Sequence, residues 1–211
     1  MSTESGGLYS VSETDATADA DPGADPLPGR ADARRNRRRL LDATIALILE
    51  SGREPSRDAV ALRAGVGIAT LYRHFPDQQL LLRAVVLDVL DRTIARGAAA
   101  LAESADGGAA LRRYLHDSID TGVGVVNIIH PLLYDTDWPD RRDAAHRVLT
   151  RLIRAARRDG AIDRDVTPGD LALATIRFCR PLAIGLDADA ERAIAHRQLD
   201  TYLDGLLRPS R

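Results

Sequence analysis

The amino-acid sequence predicts an all-α protein, and three observations carry the prediction. Ala, Leu and Arg, all good helix formers, dominate every long periodic stretch, while aromatic residues make up only 4% of the chain. Apolar residues recur at i, i+3, i+4 and i+7, the spacing of one helix face. No stretch alternates in the manner of a half-buried strand, and no repeat period appears. With 211 residues, 45% of them hydrophobic, the chain can build the core of one or two domains.

The elements follow in order. Residues 1–29 are rich in Ser, Thr, Asp, Gly, Ala and Pro, with almost no large apolar residue to offset chain entropy, and read as a disordered tail. The run Arg30 to Arg39 leads into a first helix whose buried face is Leu41, Thr44, Ile45 and Ile48, with Gly52 as its stop. After Pro55, Ser56 can cap a second helix of about two turns, with Val60 and Leu62 as core contacts and Gly65 in the turn that follows. A third short helix spans Gly67 to His74, Pro76 forbids simple continuation, and Asp77 is placed to cap a fourth.

That fourth helix is long, with Leu80, Ala84, Leu87, Ile94, Ala98 and Leu101 as its stripe up to the break at Asp106-Gly107-Gly108. Three further helical stretches lie near 109–126, 140–159 and 168–207, the last split around Gly185 to Asp187. In the final segment Leu199, Tyr202, Leu203 and Leu206 share one face, the pattern of a helix packed on something apolar.

Charge is distributed unevenly. Residues 1–29 hold six acids and no base, residues 30–80 hold ten Arg against six acids, and residues 81–211 balance at nineteen each. A net charge of −2 thus conceals a local +4, and a cationic segment in an otherwise acidic chain suits docking on a polyanion. Lysine is absent, so the fixed positive charges are all guanidiniums, which suit forked phosphate and guanine contacts. The single cysteine, Cys179, excludes an intramolecular disulfide and a multi-cysteine zinc site, and reads as a small buried hydrophobe. No stretch approaches the ~20 apolar residues of a membrane span, and the N-terminus lacks the pattern of a secretory signal; the expectation is a cytoplasmic protein without a membrane partner.

Residues 56–75, SRDAVALRAGVGIATLYRHF, combine a short helix, a glycine-containing turn and a second short helix. This is the helix-turn-helix arrangement, whose second helix enters the DNA major groove and presents its N-terminal residues to base edges. Gly67 and Ala69 are small enough for close approach, and Thr70, Tyr72, Arg73 and His74 supply donors along the flank. Ser56 and Arg57 open the first of the two helices, and Arg38 belongs to the arginine run in front of them; a DNA-contacting role for that run competes with a solvated face.

The string AGVGIATLYRHFPD at 64–77 closely resembles the signature of the tetracycline-repressor (TetR) family of bacterial regulators, in a context covering about residues 34–85. The resemblance implies phosphate contacts for Thr70, Tyr72 and His74, base-facing positions for Gly67, Ile68, Ala69 and Arg73, and core roles for Leu71 and Phe75. At the start of the fourth helix the family often carries a phosphate-gripping lysine, and here the position is Gln78. The short link SGREPS resembles members whose C-terminal domain is of the SbtR type. The resemblance further implies a DNA-binding domain at 30–79, a regulatory and dimerisation domain at 80–208, and a homodimer paired through its two C-terminal helices.

Beyond residue 85 the chain carries one unusual cluster, NIIHPLLYDTDWPD at 127–140. Asn127, His130, Tyr134 and Trp138, with Tyr114, Arg177 and Phe178, could wall a pocket for a small-molecule effector; the other reading is a loop whose aromatics cap the core. His130 with Asp135 or Asp137 lacks a recognised metal-ligand spacing, so no metal or cofactor is expected. Nucleophile elbows, zinc-protease motifs, P-loops and dinucleotide fingerprints are absent from the sequence, which argues against an enzyme. With the helix-turn-helix, the resemblance implies a sequence-specific transcriptional regulator, a ligand-responsive repressor that binds a palindromic double-stranded operator as a dimer. The alternative is a constitutive architectural DNA-binding protein.

Overall fold

A computed structural model describes residues 28–133, 138–162, 165–180, 182 and 185–207. The expected all-α fold is observed, with nine α-helices and no strand among the described residues. The helices are α1 (Pro28–Ser51), α2 (Arg57–Ala64), α3 (Ile68–His74), α4 (Gln78–Glu103), α5 (Gly107–Thr121), α6 (Gly124–Ile129), α7 (Pro139–Arg158), α8 (Pro168–Cys179) and α9 (Ala188–Leu206). A 3-10 turn, His130–Leu132, follows α6.

Local chemistry sets most of these boundaries. Ser56 accepts from the Ala59 amide and Asp77 from the Leu80 amide, so each caps its helix as anticipated. Asp106 and Asp187 do the same for α5 and α9, and Thr167 with Asp170 forms a reciprocal capping box on α8. Gly122, at φ 77°, ends α5 in the left-handed conformation that glycine adopts most readily; the stretch expected to be continuous from 109 to 126 is therefore two helices.

The head consists of α1, α2 and α3 packed against one another, and the long α4 leaves it to enter the body. There α4, α5 and α7 pack pairwise, while α8 and α9 lie against α5 and against each other. One hydrophobic cluster joins both parts, from Leu40 and Phe75 through Val85 and Leu111 to Leu152 and Leu203. The head–body boundary placed at 79/80 falls inside the first turn of α4, so no linker separates the two. The first helix begins at Pro28, two residues before the run at Arg30, while residues 1–27 of the expected tail lie outside the described residues.

Two packing expectations are corrected. Leu62 is 84% exposed, because α2 is two turns long and buries Val60, Ala61 and Ala64, leaving Leu62 on the opposite side. The α4 stripe holds only in part: Ala84, Ile94 and Leu101 pack against the core, but its fully buried residues are Leu81, Leu82, Val85, Val86 and Val89, whereas Leu80 is 46% exposed and Ala98 lies on the surface. Three consecutive leucines offer several possible stripes, and contacts with α1, α5 and α7 select the phase. The buried face of α1, by contrast, is Leu41, Thr44, Ile45 and Ile48, as its periodicity indicates.

Candidate nucleic-acid interface

The short α3 is held by its inward residues. Leu71 is fully buried and Phe75 nearly so, and Arg37 of α1 lies over the Phe75 ring at 5.4 Å. Gly65 makes the tight turn from α2 with φ 61°, and its amide caps the carbonyls of Ala61 and Leu62. A side chain there would also run into the Arg39 guanidinium, 2.8 Å from the position of an added Cβ.

The outward surface of α3 is Gly67, Ile68, Ala69, Tyr72 and Arg73, all exposed, with Thr70 and His74 half-buried at its margin. Gly67 has an ordinary φ of −67°, and an added Cβ would meet nothing within 4 Å. Neither backbone conformation nor internal packing therefore requires glycine at this position. Arg73 donates to the Thr70 hydroxyl at 2.9 Å, which holds the guanidinium along the exposed flank. Burial, then the nearby charges of Arg37 and Arg73, lower the His74 pKa, so its imidazole is biased to the neutral form.

The other sequence-derived DNA contacts are engaged within the chain. Arg57 donates to the carbonyl oxygens of Phe75 and Pro76 and lies over the Tyr72 ring. Gln78 donates to the Pro55 carbonyl at 3.1 Å, tying the start of α4 to the link before α2. Ser56 is occupied as the α2 cap. Arg38 turns toward α4, where it pairs with Asp88 at 2.9 Å as well as with Asp42 on its own helix. Arg92 forms an ion pair with Asp88 at 2.8 Å and completes a four-charge network between α1 and α4. Two other arginines of the run lie beside the motif: Arg37 next to His74 and Arg39 next to the Gly65 turn.

The residues proposed for a ligand pocket do not form one group. Tyr114 is buried between α4 and α7, facing Gly97, and burial raises its phenol pKa to about 12. His130 is exposed and meets Trp138 edge-on at 6.3 Å, with the Arg83 guanidinium on that ring at 6.0 Å. Buried N–H groups of Asn127 and Trp138 have no hydrogen-bond partner among the described residues. Phe178 stacks obliquely on Tyr202 at 5.4 Å and lines a cavity of about 50 Å³ beside Cys179, while Arg177 points to solvent. Tyr134, Asp135 and Asp137 lie outside the described residues. Burial, and then Asp120, pushes the Cys179 thiol up to about 12, consistent with its reading as a small buried hydrophobe.

Comparison with known proteins gives two family matches along the chain. A family model described as "Bacterial regulatory proteins, tetR family" matches residues 40–85, and one described as "Transcriptional regulator SbtR-like, C-terminal domain" matches residues 106–208. The HTH-type transcriptional repressor KstR of Rhodococcus jostii is 40% identical over 89 residues, 42% of this chain and 42% of that repressor, so the match spans less than half the length of this curated relative. The TetR transcriptional regulator SCO0520 from Streptomyces coelicolor superposes with a TM-score of 0.64 at 29% identity, covering 83% of this chain and 99% of that one. The TetR-like regulator LfrR from Mycobacterium smegmatis, solved in complex with proflavine, shares the fold at 22% identity with a TM-score of 0.58, covering 84% and 99% of the two chains.

Proposed function

Because the chain belongs to the TetR family of bacterial regulatory proteins, with a C-terminal half of the SbtR-like kind, we propose that it is a DNA-binding transcriptional repressor whose α3 reads a palindromic operator. The observation that carries this reading is the two-sided character of α3. Leu71 and Phe75 fix it to the head, while Gly67, Ile68, Ala69, Tyr72 and Arg73 face outward, unclaimed by the core. In the major groove Gly67 to Ala69 would approach base edges and Arg73 would read them; Thr70, Tyr72 and His74 would hold phosphates.

Two copies are needed, since one seven-residue helix covers only a half-site. Pairing through α8 and α9 is supported by apolar side chains left on or between those helices: Leu173 is 61% exposed, Leu182 52% and Leu186 41%. Two-fold symmetry then sets the recognition helices one DNA turn apart, ~34–36 Å.

A small-molecule effector in the body would oppose operator binding through α4. Support comes from the continuity of that helix from Asp77 to Ser104 and from its ties at mid-length, Asp88 to Arg38 of α1 and Asp91 to Arg141 of α7. LfrR, a protein of the same fold, was solved in complex with the small molecule proflavine. Reciprocal coupling of the two sites would be about 1–3 kcal/mol. Such a regulator acts in the cytoplasm, and no described helix is long and apolar enough to cross a membrane.

Footprinting of the DNA upstream of the chain's own gene tests this function. A discrete, two-fold-symmetric protected region is the expected result. Protection spread evenly along the fragment would instead make it an architectural binder, and an absence of binding at low salt would end the proposal.

A further inference from the structure

Where α9 crosses α5, two histidines meet through the same ring nitrogen. His116 Nδ1 lies 2.7 Å from His196 Nδ1, with the rings nearly parallel at 15° and centroids 5.0 Å apart. The outer nitrogens each face a carboxylate. His116 Nε2 is 3.0 Å from Asp200 Oδ1, and His196 Nε2 is 3.0 Å from Asp120 Oδ1.

Counting protons decides what this arrangement holds. An ionised carboxylate only accepts, so each Nε2 must carry a hydrogen. A neutral imidazole has one N–H, so two neutral rings would then face each other with bare lone pairs at 2.7 Å. The three contacts need three N–H protons, and two neutral rings supply two. A metal does not fit the gap: two nitrogens on one tetrahedral zinc, each ~2.0–2.1 Å from the ion, sit about 3.4 Å apart.

We infer that His116 and His196 form a proton-binding site, a dyad that holds one extra proton between its Nδ1 atoms and thereby clasps α9 to α5. The surroundings suit a single positive charge. From α5 the facing charges are Asp120 and Arg112, and from α9 Asp200 and Asp204, with Arg112 bound to both of the latter at 2.8 and 2.7 Å. From the end of α8, Cys179 lies in the field of Asp120 and is neutral. Loss of the shared proton leaves one of the three contacts repulsive, whichever way the rings are arranged. The clasp is tight while the shared proton is bound and weakens when it is lost. This holds whether or not the chain binds DNA.

Thermal unfolding of the full chain at about pH 6 and about pH 8 tests the inference, with wild type, His116→Gln, His196→Gln and the double variant. The wild-type midpoint is expected to gain about 2–4 °C more than either single variant on going to the lower pH. The double variant should lose no more of that gain than a single one, because the proton belongs to the pair. Gains that persist in the single variants, or that halve in each and vanish only in the double, overturn it. Nitrogen-15 spectra of the wild-type histidine rings give a second readout independent of how the variants fold. Both Nε2 atoms protonated and the Nδ1 atoms sharing one proton is the expected pattern; two independently titrating rings overturn it. Zinc added at the higher pH should not restore the midpoint, and if it does, the site holds metal rather than a proton.

Discussion

The guanidinium of Arg57 lies 3.9 Å from the centre of the Tyr72 ring. Its two terminal nitrogens donate to the carbonyls of Phe75 and Pro76, so one side chain from the first turn of α2 holds both the ring and the end of α3. Replacing Arg57 by Ala should lower stability by about 1–2 kcal/mol, from the lost stacking and two carbonyl bonds. Operator affinity should fall as α3 loosens, with the slope of affinity against salt unchanged. A slope reduced by about one would mean that Arg57 touches a phosphate directly. Melting curves and mobility shifts at several salt concentrations measure both.

A substitution at Gly67 should separate folding from recognition. The space beside it is open and its backbone angle is ordinary, so Gly67→Val should leave the melting midpoint within about 2 °C of wild type. A branched side chain between α3 and a base edge should cost more than about 1.4 kcal/mol, a tenfold loss of operator affinity. Equal affinity for the two proteins would place the DNA elsewhere.

Gly107 behaves in the opposite way. An added Cβ there would sit 2.2 Å from the Ala155 carbonyl carbon and 2.3 Å from the Ala156 nitrogen, both rigid backbone of α7. Gly107→Ala should force α5 and α7 apart at a cost of about 1–3 kcal/mol, read as a lower unfolding midpoint. Gly205→Ala, where nothing lies within 4 Å, should be neutral or gain up to about 1 kcal/mol of helix propensity.

His74 should give operator binding a pH dependence. In the free protein burial and two arginines disfavour its charged form, whereas a phosphate at the same edge favours it, so binding takes up a proton. Affinity should rise as pH falls below neutrality and level off once His74 is charged in both states. His74→Ala should flatten the profile, and an unchanged slope in that variant would remove His74 from the contact.

Much of the head was legible because its signals are local. Ser56 and Asp77 cap helices through amides three residues away, and Leu71 and Phe75 are buried by the same short pattern that exposes Tyr72 and Arg73. What escaped depends on partners distant in sequence. Arg38 looks like any member of its run until Asp88, fifty positions on, turns it toward α4. Leu80, Leu81 and Leu82 are equivalent as a string, and only the neighbouring helices decide which one faces solvent. Among the described pocket candidates, His130 meets Trp138, but Tyr114 faces Gly97 and Phe178 packs on Tyr202, contacts that no local pattern reveals. His116 and His196 left one trace, a His-x-x-x-Asp spacing that occurs at both positions, 116–120 and 196–200.

The arginine grips on Asp88 and Asp91 have a mechanical consequence. Those carboxylates stand three residues apart near the midpoint of α4, one held from the head by α1 and the other from the body by α7. A rod of 26 residues is about 39 Å long, and pivoting by about 10° at such a fulcrum swings each end by about 3 Å. The head rides on one end, so under the proposed coupling a slight displacement of body side chains would become a shift of α3 amounting to about a quarter of the ~12 Å width of a major groove.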